Sequence, residues 1–188
     1  MNNSAIGKAV GKYMLVQIYF GDGKGKTTAA IGLAIRALGH DFKVGIVFFM
    51  KNPSFFPMGE NQTLALLQKN MPNNLQVFFY GKAGWVLQDQ LEDIDRQEAI
   101  QGLQKCKDLI NQCDLLIMDE ILNAIHFNLI SEDAVLDFIH NKPRDLEVVL
   151  TGRKASKRFI DKADLVTEVV EIKHPYHTRL EARKGIEY

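Results

Sequence analysis

The chain has 188 residues, with 23 Lys+Arg balanced by 23 Asp+Glu, so its formal net charge is zero. At roughly 150 residues per domain this length points to one domain. Its 46% hydrophobic and 24% charged content is globular usage, which excludes disorder over most of the chain. A balanced charge also excludes a generally basic nucleic-acid binder, so a large anionic ligand must be held by a local site.

In chain order, residues 1–12 are polar and read as a flexible arm, leaving 13–188 as the folded domain. Residues 13–20 (YMLVQIYF) form an apolar strand that runs into Gly21-Asp22-Gly23-Lys24-Gly25. A helix over 27–38 follows, with Gly39 as its C-cap. Residues 43–50 (KVGIVFFM) are a near-continuous apolar run, the signature of a parallel strand buried on both faces. Residues 52–59 hold two prolines and form a loop; 60–69 predict a helix and 75–80 (LQVFFY) a strand. A Gly-containing loop over 81–87 carries the only tryptophan, Trp85, and 91–112 is the longest helical stretch. Then come a short strand at 114–119 (DLLIMD), a helix from Ser131 to about His140, a strand at 146–150, a helix at 155–163 and a last strand at 165–172. Strands alternating with helices predict a mostly parallel sheet flanked on both faces by helices.

Two cysteines, Cys106 and Cys113, stand seven apart and form no Cys-x-x-Cys pair, so zinc-ribbon and thioredoxin-type chemistry are excluded. They read as buried, inert thiols. No apolar run approaches the roughly 20 residues of a membrane span, and the polar start lacks the apolar middle of a signal peptide. A cytoplasmic protein is the expectation.

Gly21-Asp22-Gly23-Lys24-Gly25-Lys26-Thr27 lies between a strand and a helix, the context a phosphate-binding loop requires. Glycines let successive backbone N–H groups curl around phosphate oxygens, and the helix start adds its positive dipole end. Lys26 can reach terminal phosphates and the Thr27 hydroxyl can ligate Mg²⁺. The spacing is unusual: Gly21 leaves three residues before Gly25, where the common loop has four. Asp119-Glu120 ends the apolar run 115–118. Carboxylates at the tip of a buried strand sit on the same sheet edge as the phosphate loop, where they can bind metal; acids there also suit a helix start. Arg153, just past the strand at 146–150, falls on that edge and suits phosphate. Arg36 points either to the far end of a nucleotide or to solvent. His174 and His177 have i, i+3 spacing, but Pro175 breaks a helix between them and no third ligand is evident, so they read as structural or substrate-lining.

Taken together, these residues resemble the P-loop-type ATP:corrinoid adenosyltransferases. The run from Gly21 to Ala30 resembles that family's short P-loop, with the same three-residue spacing, and Gly32, Arg36 and Ala37-Leu38-Gly39-His40 continue it. Met118-Asp119-Glu120-Ile121, Thr151-Gly152-Arg153, Ala163-Asp164-Leu165-Val166-Thr167-Glu168, Ile172-Lys173-His174-Pro175-Tyr176 and the stretch from Ala182 to Tyr188 resemble its other blocks, in the same order. The resemblance implies an α/β, three-layer, RecA-like P-loop NTPase domain. It also implies that Co(I) of a reduced corrinoid attacks the ribose 5′ carbon of ATP and that the whole triphosphate leaves, in adenosylcobalamin biosynthesis or salvage. Family precedent has ATP reversed relative to ordinary P-loop enzymes.

Carried over, Gly21, Asp22, Gly23, Lys24, Gly25, Lys26, Thr27, Thr28 and Arg153 would cradle the triphosphate. Arg36 would contact the nucleoside, and Thr27 and Glu120, with Asp119 beside them, would bind Mg²⁺ or Mn²⁺. Lys26, Glu120 and Trp85 are the expected catalytic group. Aromatic residues in a loop after a middle strand displace the lower cobalt ligand in the family, and Gly84-Trp85-Val86-Leu87 resembles that loop. Trp85 stands in place of a family phenylalanine, and Leu87 where the family can carry tryptophan. Implied partners are a corrinoid, ATP, a reduced flavoprotein as electron donor and a second copy in a homodimer. The short arm at 1–12 leaves a more open site than a long corrinoid-covering arm would.

Two other readings compete. A conventional P-loop ATPase or phosphotransferase would use Lys26, Thr27, Asp119 and Glu120 for β–γ chemistry. A nucleotide-gated binding module would use ATP to order a partner surface. Product identity separates the three: triphosphate, ADP with phosphate, or nothing.

Overall fold

The computed structural model describes residues 14–55, 58–84, 86–175 and 181–188. The arm at 1–12, Trp85 and His177 lie outside these. Twelve elements alternate along the described chain: β1 (Val16–Phe20), α1 (Lys26–Leu38), β2 (Val44–Phe49), α2 (Gly59–Asn70), β3 (Leu75–Tyr80), α3 (Asp93–Leu109), β4 (Leu115–Asp119), α4 (Ile121–His126), α5 (Glu132–His140), β5 (Glu147–Gly152), α6 (Lys157–Lys162) and β6 (Leu165–Glu168). The strands form one sheet in the order β3-β2-β4-β5-β1-β6, and every pair is parallel.

Period-2 alternation sends successive side chains of each strand to opposite faces. Val47, Phe49, Leu116, Met118, Val148 and Leu150 pack on one face against α3, α4 and α5. Val44, Ile46, Phe48, Leu115, Ile117 and Val149 pack on the other against α1 and α2. This two-sided burial explains why β2 and β4 read as unbroken apolar runs. On α1 the buried residues Ala30, Ala34 and Leu38 recur every four positions, a single stripe facing the sheet. The layers are therefore helix, sheet and helix, as the sequence predicts.

Two local expectations are corrected. β6 ends at Glu168, not Ile172. There the Val169 N–H still bonds the Phe20 carbonyl (2.7 Å), but the Val169 carbonyl turns to accept from the Gly23 N–H (2.8 Å). The long helix is trimmed to 93–109, because Glu92 and Asp95 form a reciprocal capping box at its start. Gly39 caps α1 as expected, with φ −64°, and Asp41 beyond it is left-handed (φ 61°). Helix α4, six residues directly after Glu120, is the helix start that acids at this strand tip also suit, though the sequence predicts no range for it. Cys106 is buried as expected and Cys113 half-buried, both as free thiols. Burial pushes the Cys113 thiol up to about 11, with the Asp114 carboxylate adding to the shift. Among the described residues no helix is long and apolar enough to cross a membrane.

Candidate functional site

Parallel strands deliver all their carboxyl ends to one edge of the sheet, and the loops beyond those ends build the site. The phosphate loop leaves β1 there. Gly21 and Gly25 take left-handed backbone (φ 114° and 115°). A Cβ on Gly21 would lie 2.5 Å from the Val169 carbonyl oxygen, and one on Gly23 2.7 Å from it. Glycine is therefore required at both positions by close backbone approach, and at Gly21 also by conformation. Gly25 caps α1 with no side-chain acceptor, and the first turn of α1 holds no acid. The free amides and positive end of a 13-residue helix thus face the loop.

The Lys26 ammonium donates to the Gly23 carbonyl (2.8 Å), closing over its own loop. Lys24 reaches the other way, to the Ile186 carbonyl (3.0 Å) and Glu187 (3.2 Å). The segment 185–188 therefore walls a cleft of about 370 Å³ with Lys26, Thr27, Thr28 and Glu120. On the other side of the loop, Asp22, Lys26, Arg153 and His174 line a second cleft of about 730 Å³.

Strand β4 supplies the acids. Asp119 is buried, and both its carboxylate oxygens are engaged: Thr151 Oγ1 donates to Oδ1 (2.8 Å) and the Lys51 ammonium donates to Oδ2 (2.7 Å). Glu120 is left-handed (φ 63°). Its N–H donates to Thr151 Oγ1 (2.8 Å), and its Oε2 accepts from the Asn123 amide. Asn123 Oδ1 in turn accepts from the Arg153 N–H (2.7 Å). A Cβ on Gly152 would lie 2.6 Å from Leu122 Cβ, so the glycine lets α4 pack onto the end of β5 and close this network.

Electrostatics follow from packing like and unlike charges together out of water. Burial pushes the Glu120 carboxyl up, and neighbouring Asp119 adds to it, against Lys51, Lys26 and Arg153. Burial lowers the Lys26 ammonium, opposed chiefly by Glu120. Burial also works against charge on Lys51, but Asp119 and Glu120 outweigh it and hold its pKa above the ordinary lysine value.

A third cleft of about 550 Å³ adjoins the loop. Phe49, Met50, Met58, Val86 and Phe127 give it apolar walls, while Asp22, Glu120 and Arg153 join it to the phosphate side. Of the expected site residues, the structure brings together Asp22, Lys24, Lys26, Thr27, Thr28, Glu120 and Arg153 around these clefts, with Asp119 directly beneath. Arg36 is exposed in the last turn of α1 and lines none of the three. Ten residues of helix put it about 15 Å from Lys26. Trp85 lies outside the described residues, but its neighbour Val86 lines the apolar cleft.

Sequence reasoning missed Lys51, Asn123 and the bonding role of Thr151. Lys51 had a usable signal, because only Met50 separates it from the end of β2, on the edge where Arg153 follows β5. Asn123 had none, because its role arises only from its seat on α4 between Glu120 and Arg153.

Residues 12–188 match the family model for ATP:corrinoid adenosyltransferase BtuR/CobO/CobP. The chain is 33% identical to the corrinoid adenosyltransferase of a Sinorhizobium species, over 93% of this chain and 80% of the relative. It is 33% identical to that of Pseudomonas aeruginosa, over 91% and 82%. It is 29% identical to that of Escherichia coli K12, over 93% and 85%. With a phosphate loop and an apolar cleft meeting at one strand edge, and a family match running through all the described elements, the chain belongs to the ATP:corrinoid adenosyltransferase family.

Proposed function

We propose that the chain moves the 5′-deoxyadenosyl group of ATP onto the cobalt of a reduced corrinoid and releases triphosphate. Adenosyl transfer from ATP to a corrinoid is the family's reaction. The observation that carries the reading is that the apolar cleft shares Glu120 with both polar clefts beside the phosphate loop. An enzyme that only hydrolysed ATP would need the polar side alone.

In this step the Co(I) electron pair forms the Co–C5′ bond. The C5′–O bond breaks, and its pair leaves on the triphosphate. Cobalt is the nucleophile, so the chain's work is alignment and charge neutralisation. The loop amides, Lys24, Lys26, Thr28 and Arg153 hold the triphosphate. Mg²⁺ fits the donors present: the Glu120 carboxylate and Thr27 hydroxyl are hard oxygens lining one cleft, while the Asp119 oxygens are already engaged. When bound there it neutralises phosphate charge, and Mn²⁺ suits the same oxygens. Trp85, next to a residue of the apolar wall, is the wedge against the lower face of the corrin. A reduced flavoprotein supplies the electron that makes Co(I), and a second copy of the chain pairs with the first.

The test is an anaerobic incubation with MgATP and chemically reduced cobalamin. A photolabile product with one triphosphate per corrinoid is expected. ADP and orthophosphate with unaltered corrinoid would overturn the reading.

A further inference from the structure

Lys51 takes no part in the phosphate loop, yet its ammonium is held by a buried carboxylate at the strand edge. Only Met50 separates it from β2, and Met50 is left-handed (φ 57°) and lines the apolar cleft with it. Its ammonium is held 2.7 Å from Asp119 Oδ2 and 5.2 Å from the centre of the Phe48 ring. The Lys51 side chain is 21% exposed and that of Asp119 1%. A buried ion pair of this kind is weak evidence for a stabilising role, because desolvating both charges offsets most of their attraction. A second use is therefore worth seeking.

The clefts supply it. Lys51, Met58 and Glu120 are the described residues common to the apolar cleft and to the 370 Å³ cleft over Lys26, Thr27 and Thr28. Of these only Lys51 is cationic. Adenosyl transfer places its reacting carbon at that junction, with cobalt on the apolar side and triphosphate on the polar side. As the C5′–O bond breaks, the bridging oxygen of the α-phosphate gains a full negative charge. An ammonium has three donors, and Asp119 takes one, so two remain for a ligand.

We propose that Lys51 is a catalytic residue of the transfer, donating to the α-phosphate oxygen that leaves C5′. This rests on the reaction proposed above. The cobalt electron pair makes the Co–C bond, the C–O pair stays on triphosphate, and Lys51 keeps its proton while bonding the new charge. Asp119 and Thr151 act as positioning residues that aim it. The pair is fixed before the reaction, so no reorganisation is needed when the charge develops.

The test separates this role from mere neutralisation of Asp119. Lys51→Met combined with Asp119→Asn removes both charges and leaves no orphaned carboxylate; Lys51→Gln alone keeps a donor toward Asp119. Each is assayed with MgATP and pre-reduced cob(I)alamin, beside the unsubstituted chain. The expected result is kcat lowered by about 100-fold or more, the loss typical of one transition-state donor, with KM for ATP changed less than about threefold. A folded double variant with kcat within about threefold of the unsubstituted chain would overturn the proposal. So would a raised KM with unchanged kcat, which marks ground-state binding alone. If Lys51→Met/Asp119→Asn does not fold, the Lys51→Gln rates decide by the same criteria. Absence of adenosylated corrinoid from the unsubstituted chain would instead overturn the reaction itself, so the two failures are distinguishable.

Discussion

Thr151 shows how one hydroxyl can organise a charged site. It donates to Asp119 and accepts from the N–H of Glu120, both at 2.8 Å, and is itself buried. Glu120 holds a left-handed backbone, which costs a non-glycine residue about 1–3 kcal/mol. The Thr151 bond is what ties that backbone down. Thr151→Val keeps the shape but leaves the Asp119 oxygen and the Glu120 N–H without partners. Each orphan costs about 1–3 kcal/mol, so urea unfolding should show a loss of about 2–6 kcal/mol with a matching fall in adenosyl transfer. A loss below about 0.5 kcal/mol would mean that Thr151 organises nothing. At this scale the sequence is legible where chemistry is concentrated at a strand tip: Asp119, Glu120 and Arg153 announce themselves by residue type and place. Thr151 does not, because a threonine in a strand is ordinary β usage. Its role arises only from the β4–β5 pairing, which sets Met118 opposite Leu150 and so brings the next residues of both strands together.

Among the elements, β1, β2, β4 and the phosphate loop were readable, because burial on both faces and glycine spacing each leave a strong local signal. Two others were not. Helix α4 is six residues long, so periodicity does not mark it, and its one start signal, the acids at the tip of β4, suits a metal site equally well. The end of β6 was misplaced because residues 169–172 (VVEI) have strand propensity, yet their backbone is claimed by the phosphate loop. That claim is testable. The Val169 N–H bonds Phe20 and its carbonyl bonds Gly23, at 2.7 and 2.8 Å, so this residue joins the sheet edge to the loop. Val169→Pro removes the donor, whereas Val169→Ala keeps it. Proline should cost about 1–3 kcal/mol, the price of one lost ladder bond plus an unpaired carbonyl, and should weaken MgATP binding by about tenfold or more in a calorimetric titration. Alanine should bind within about threefold of the unsubstituted chain. Equal binding by both variants would show that the loop does not lean on β6.

On the scale of the whole molecule, the absence of net charge shapes how an anionic substrate arrives. Strongly charged proteins steer ligands of opposite sign and gain 10- to 1,000-fold in association rate, an advantage lost steeply with salt. Here 23 cations face 23 carboxylates across the chain. The balance is repeated locally: the 730 Å³ cleft sets Lys24, Lys26 and Arg153 against Asp22, Glu120 and Glu171. Binding must then come from short-range contacts, namely loop amides, aimed ammonium groups and hard oxygens for a cation. Partly buried contacts of this kind are screened far less than exposed charges separated by the Debye length of about 8 Å at physiological salt. The kcat/KM for ATP, measured at saturating reduced corrinoid, should therefore fall less than about tenfold between 50 and 300 mM KCl, a range fixed by the same reasoning. A fall of about 100-fold or more would show that a long-range positive field operates despite the balanced composition. The apolar cleft and the polar loop would then have to be treated as one steered funnel instead of two contact surfaces that meet at Lys51 and Glu120.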